Sequence, residues 1–144
     1  KRRKGETDKM SNSVVIDGTN AILGRLASYA AKQALLGKNI SIVHCEKIVL
    51  SGNRSTTVTA YKELRAKGGS SQKGPYFPTQ PAMIVKRTIR GMLSHKQGRG
   101  AAAFKRNRCY EELPKEFAES KKESFDRGNS VKTMTLKDLS EELR

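Results

Sequence analysis

The sequence predicts an α/β fold, and three observations carry that prediction. An apolar strand, an amphipathic helix and a second apolar strand follow one another within residues 14–45, which is the βαβ unit of a parallel sheet. Helical and strand-like patterns then continue to the C-terminus with no linker or internal repeat, so the 144 residues read as one domain with a modest core. From Leu64 to Tyr110 the chain carries eleven Lys or Arg and no Asp or Glu, a basic loop and helix extension of that domain. Residues 1–13 are polar and basic without apolar pattern, so they are expected to form a flexible arm ahead of the folded part, 14–144.

The first strand is Val14-Val15-Ile16-Asp17, closed by Asp17-Gly18. A helix over about 23–36 follows, with Leu23, Leu26, Ala27, Ala30, Ala31 and Ala34 at helical spacing and Arg25, Ser28 and Lys32 opposite. Gly37 is placed to stop it as a C′ residue. A second strand, 40–45, should pair with the first in parallel, and Ile48-Val49-Leu50 closes the segment before the Ser51-Gly52-Asn53 loop. Val58, Tyr61 and Leu64 recur every three residues and place a second helix over about 54–66. Residues 67–81, rich in Gly, Pro and Ser, form a loop. The third helix follows Pro81 with the stripe Ala82, Val85, Ile89, Met92 and Leu93; Lys86 sits at its edge, Arg90 on its flank and Arg87 well away from it. A short helix near 101–105, a strand around 108–110, a last strand over 131–136 and a final helix over 136–143 complete the chain.

Charge narrows the function. The net charge is +15, and the sequence pI of about 10.1 lies in the range of a nucleic-acid footprint. Twelve bases and one acid give +11 in residues 62–109, whereas 110–144 sum to −2. Uncompensated positive charge on a folded surface repels itself and is kept mainly where a polyanion neutralises it. Trp is absent and aromatics are 6%, so binding is expected to lean on phosphates and shape more than on base stacking. Cys45 and Cys109 lack the spacing of a zinc module or a disulfide scaffold and fit a reducing interior. No apolar run approaches the roughly 18 residues of a membrane span, and no signal-peptide core is present. The expectation is an intracellular, soluble protein with no cofactor, metal or small-molecule substrate.

Several motifs invite other chemistry. The strand, glycine turn and helix at 14–26 has one residue too many between Gly18 and Gly24 for a P-loop, and Arg25-Leu26 replaces its Lys-Ser/Thr. Gly98-Arg99-Gly100-Ala101-Ala102-Ala103 matches a dinucleotide fingerprint by letters but follows no strand. Either its glycines let the backbone turn and approach a phosphate before a helix, or they form a simple flexible turn. Gly91 inside the third helix costs roughly 1 kcal/mol against Ala; RNA backbone or a neighbouring helix would lie against it. His44 reads as a packed or edge residue and His95 as an RNA contact. Asp17 and Glu46 stand near strand ends, where α/β enzymes place catalysis; capping a helix, or pairing with Arg25 or Lys47, is the plainer role.

The segments Val15-Ile16-Asp17, Leu23-Gly24-Arg25-Leu26-Ala27, Ser51-Gly52-Asn53, Lys73-Gly74-Pro75-Tyr76 and Arg87-Thr88-Ile89-Arg90-Gly91-Met92-Leu93-Ser94-His95-Lys96, extended by Arg99-Gly100 and Ala103-Phe104-Lys105-Arg106, carry a resemblance. In that order, over about 14–117, the chain resembles the L-thirteen family of large-subunit ribosomal proteins in its archaeal–eukaryotic form. The resemblance implies a three-layer α/β/α fold around a mainly parallel four-stranded sheet, bound to large-subunit ribosomal RNA beside other ribosomal proteins, with no catalytic activity. Residues 131–143 resemble the family's closing strand and helix more loosely. Ser94 stands where the family commonly has Pro, the basic arm lies outside the shared pattern, and 118–130 match no part of it.

The function expected is a structural constituent of the cytoplasmic large ribosomal subunit that stabilises folded ribosomal RNA. Arg87, Arg90, Lys96, Arg99, Lys105 and Arg106 would contact phosphates, with Lys73, Lys86, His95 and Arg108 beside them and Arg25, Lys32 and Arg54 as outlying candidates. Arginine suits the task because its planar fork engages phosphate bidentately. The competing readings are an α/β enzyme acting on RNA or a nucleotide through Asp17 or Glu46, and a DNA-compacting protein. Neither a recognition-helix motif nor a dimer pattern supports the latter.

Overall fold

The computed structural model describes residues 12–67, 74–126 and 132–144. All but the last two residues of the expected N-terminal arm, together with Lys73, lie outside the described residues. Strand β1 (Ser13–Asp17) pairs in parallel with β2 (Asn39–Val43), in the register Ile16 to Ile42. Helix α1 (Leu23–Leu35) connects them and buries the six residues of the expected stripe. Its four alanines let the helix sit close to the sheet. Gly37, at φ +93°, donates its N–H to the Ala34 carbonyl and ends the helix as a left-handed C′ residue.

The main sheet has the order β4-β2-β1-β5 and is parallel throughout. Strand β4 (Asn107–Cys109) flanks β2, and β5 (Lys122–Ser124) flanks β1. Among the described residues five helices complete a three-layer α/β arrangement with this sheet: α1, α2 (Arg54–Ala66), α3 (Pro81–Gly91), α4 (Gly98–Arg106) and α5 (Leu136–Leu143). Ile16, Ile40 and Ile42 on one sheet face join Leu26, Ala30, Val85 and Ile89 in the core. Each such large aliphatic side chain contributes about 1.5–3 kcal/mol by leaving water.

The structure departs from the sequence reading, or adds to it, at four points. The second strand stops at Val43, because His44 adopts a left-handed conformation (φ +54°) and turns the chain into a short 3-10 segment, Cys45–Lys47. The last strand, β6 (Thr133–Thr135), lies within the expected 131–136 and pairs antiparallel with β3 (Val49–Ser51) in a separate two-stranded sheet. The fourth parallel strand is β5, inside the charge-mixed segment, where no strand is expected. Tyr29 on α1 anchors it, donating to Glu123 at 2.6 Å and packing its ring 4.8 Å from that of Phe125. The Glu123 carboxylate, with burial behind it, raises the Tyr29 pKa. In α3 the core residues are Pro81, Ile84, Val85 and Ile89, while Met92 lies just past the helix end and is 44% exposed.

Candidate nucleic-acid interface

Within the acid-free stretch, residues 81–106 fold into a helix, a tight turn and a second helix, and this is what sets their charges in place. Pro81 opens α3 at a position where a missing N–H costs nothing. Ile84, Val85 and Ile89 turn inward and so hold Lys86, Arg87 and Arg90 at the surface, each half-buried. The chain then turns through 92–97, where the N–H groups of His95 and Gln97 donate to the Leu93 and Ser94 carbonyls. Helix α4 starts at Gly98, ahead of its expected start. His95, Lys96, Arg99, Lys105 and Arg108 are exposed along this path.

The glycines differ in what surrounds them. Gly100 lies in the first turn of α4, and a Cβ there would stand 2.0 Å from the Ser94 carbonyl oxygen. What lies close to Gly100 is therefore the chain's own backbone. Gly91 is the last residue of α3 with nothing within 4 Å of where its Cβ would be, so no neighbouring helix packs against it.

Arg87 does more than face outward. Its guanidinium lies 3.9 Å from the centre of the Phe77 ring, and Nη1 donates to the Tyr76 carbonyl at 2.9 Å. These contacts fasten the 75–78 segment across α3. Between them runs a groove of about 550 Å³ lined by Pro75, Tyr76, Pro78, Met83, Lys86, Arg87, Arg90 and Phe104. No carboxylate lines it. The Lys86 ammonium sits 5.4 Å from the Phe104 ring centre. Three of the eight aromatic residues thus gather at the basic surface, which the overall composition did not suggest.

Other candidates stand apart. Arg106 donates to the Ala34 carbonyl at 3.0 Å, tying α4 to the end of α1. Arg54 pairs with Glu142 at 2.6 Å across α2 and α5. Arg25 and Lys32 are exposed on α1 and line neither of the two grooves beside Arg87. Asp17 neither caps a helix nor pairs with Arg25; its carboxylate accepts from the Thr19 N–H and hydroxyl, closing the turn after β1. Cys45 is fully buried and Cys109 half-buried, both as free thiols. Among the described residues, no three His, Cys, Asp or Glu side chains gather as metal ligands would. No helix among them is long and apolar enough to cross a membrane.

Residues 11–116 match the ribosomal protein L13 family. The chain belongs to that family. It is a structural protein and not an enzyme. Its relatives include a large ribosomal subunit protein uL13 from Methanosarcina barkeri, 50% identical over 107 residues, covering 74% of this chain and 76% of the relative. A uL13 from Methanococcoides burtonii is 41% identical over 134 residues, covering 90% of this chain and 96% of its own. That of Methanocaldococcus jannaschii is 42% identical over 132 residues, with the same coverage. The matched family region takes in β1 through β4 and both helices of the basic surface.

Proposed function

We propose that this protein is a structural constituent of the cytoplasmic large ribosomal subunit, where it binds and stabilises folded large-subunit ribosomal RNA alongside neighbouring ribosomal proteins. The observation that carries the reading is the acid-free surface of α3, the 92–97 turn and α4, presented from packed helices by a member of a ribosomal family. Arg90, Lys96, Arg99, Lys105 and Arg108 engage phosphates directly, with Lys86, Arg87 and His95 beside them. Lys73, Arg106, Arg54 and Arg25 are outlying members of the set. Such contacts position the protein without reading sequence.

Sedimentation of cell lysate at low and high salt tests this. Migration with large subunits that survives a high-salt wash is the expected result; confinement to light fractions at both salts refutes it. With isolated ribosomal RNA, roughly eight phosphate contacts lower affinity by about 10³–10⁵ between about 50 and 200 mM salt. Arg90→Ala weakens binding to all RNA sequences alike and reduces the salt slope by about one contact.

A further inference from the structure

The groove beside α3 has a composition that phosphate contacts alone do not require. Its walls are Pro75, Pro78, Met83 and Phe104, and Tyr76 stands at its edge 78% exposed. Met83 is 46% exposed. Its charged residues are the cations Lys86, Arg87 and Arg90. We propose that this groove takes one unstacked RNA base, seated against Tyr76 and the apolar walls, with its flanking phosphates on Lys86 and Arg90. The proposal rests on the RNA-binding reading and adds to it the kind of nucleotide recognised.

Three features favour a base over other occupants. A nucleotide combines an aromatic face with an adjoining anion, and this groove combines an aromatic–apolar floor with a cationic rim. Its volume of about 550 Å³ lies in the ordinary range of small-ligand sites. The backbone at Tyr76 is already held, because Arg87 stacks on Phe77 and donates to the Tyr76 carbonyl, so only the exposed Tyr76 ring is left to order on binding. A base in a duplex is stacked and paired and cannot enter. The groove therefore selects a loop, bulge or single-stranded nucleotide.

The test compares full-length protein binding to oligoadenylate of about ten nucleotides and to an abasic ribose-phosphate chain of equal length. Tyr76→Ala lowers affinity for oligoadenylate by about 5- to 150-fold, the effect of losing one base stack, and changes affinity for the abasic chain less than about twofold. Phe104→Leu shifts the two affinities in the same pattern, and circular dichroism checks that both variants are folded. If Tyr76→Ala affects both chains equally, or neither, the base site is wrong, while salt-dependent binding sensitive to Arg90→Ala leaves the RNA-binding reading standing. Absence of salt-dependent binding to either chain and to ribosomal RNA sinks both. Polyglutamate binding that falls with Tyr76→Ala as steeply as oligoadenylate binding does overturns the base in favour of an acidic peptide.

Discussion

Gly98 and Gly100 are two residues apart in one helical turn, and the structure assigns opposite signs to replacing them with alanine. At Gly100 the new Cβ would lie 2.0 Å from the Ser94 oxygen and 2.3 Å from its carbonyl carbon, against an ordinary contact of 3.4 Å or more. Backbone must therefore move by over an ångström. That backbone is restrained by bonds from His95 N–H to Leu93 (2.8 Å), Gln97 N–H to Ser94 (3.0 Å) and Ala101 N–H to Gln97 (2.8 Å). Overpacking of this kind costs about 1–3 kcal/mol, set against a gain of about 1 kcal/mol in helix propensity. The expected net loss is up to about 2 kcal/mol, a melting midpoint lower by up to about 8 °C. At Gly98 nothing lies within 4 Å, and Gly98→Ala should stabilise by about 0.4–1 kcal/mol. Urea unfolding followed by circular dichroism measures both. Gly100→Ala more stable than the parent would refute the close approach of Gly100 to Ser94.

Two further perturbations probe the layers beneath the interface. Asn107 is 1% exposed and donates from Nδ2 to the Ala103 carbonyl at 2.9 Å; Asn107→Asp removes the donor and leaves an uncompensated carboxylate, at a cost of about 3–5 kcal/mol near neutral pH. Burial raises that carboxyl's folded pKa above its unfolded value, so the deficit grows as pH rises through about 3.9 and shrinks toward acid; a pH-independent deficit in urea unfolding would contradict the burial. Cys45 is held far above the ordinary thiol range by its hydrogen bond with Cys109 and then by burial, so iodoacetamide should label Cys109 first and Cys45 only on unfolding. Peptide mass mapping that finds Cys45 alkylated at the same rate in the native protein would break that assignment.

Helix α1 was legible because its signals are local: six apolar residues at helical spacing and a glycine that can take φ +93°. The stripe of α3 is right at Val85, Ile89 and Leu93 but wrong at Met92, for a physical reason. Periodicity extrapolated through Met92 assumes the helix continues, yet α3 ends at Gly91, so Met92 is exposed; Pro81 and Ile84, outside the expected stripe, are buried. Strand β5 was not legible. It is three residues, two of them charged, at the sheet edge beside β1, and what holds it is contact with Tyr29, about ninety residues earlier in sequence. The groove was hidden for the same reason. Composition counts aromatics, but only the fold brings Tyr76, Phe77 and Phe104 to one surface.

That folding-back also divides the cations into two kinds that sequence cannot separate. Arg54 neutralises Glu142, Arg65 donates to the Leu143 carbonyl, Arg106 to Ala34, and Arg87 joins Tyr76 and Phe77 to α3. These guanidiniums replace water by satisfying carbonyls, a carboxylate and a ring, and they hold elements together whether or not RNA is bound. Arg90, Lys96, Arg99, Lys105 and Arg108 have no acidic side chain within salt-bridge reach among the described residues. Their mutual repulsion is left unrelieved in the free protein. An arginine bonded to a neutral carbonyl keeps its charge, so Arg65, Arg87 and Arg106 still add to the potential that draws in a polyanion, whereas Arg54 is offset by Glu142. The fixed cations shape the surface and the uncommitted ones are left for phosphate, which is why α3 and α4 need a core face as firm as their basic one.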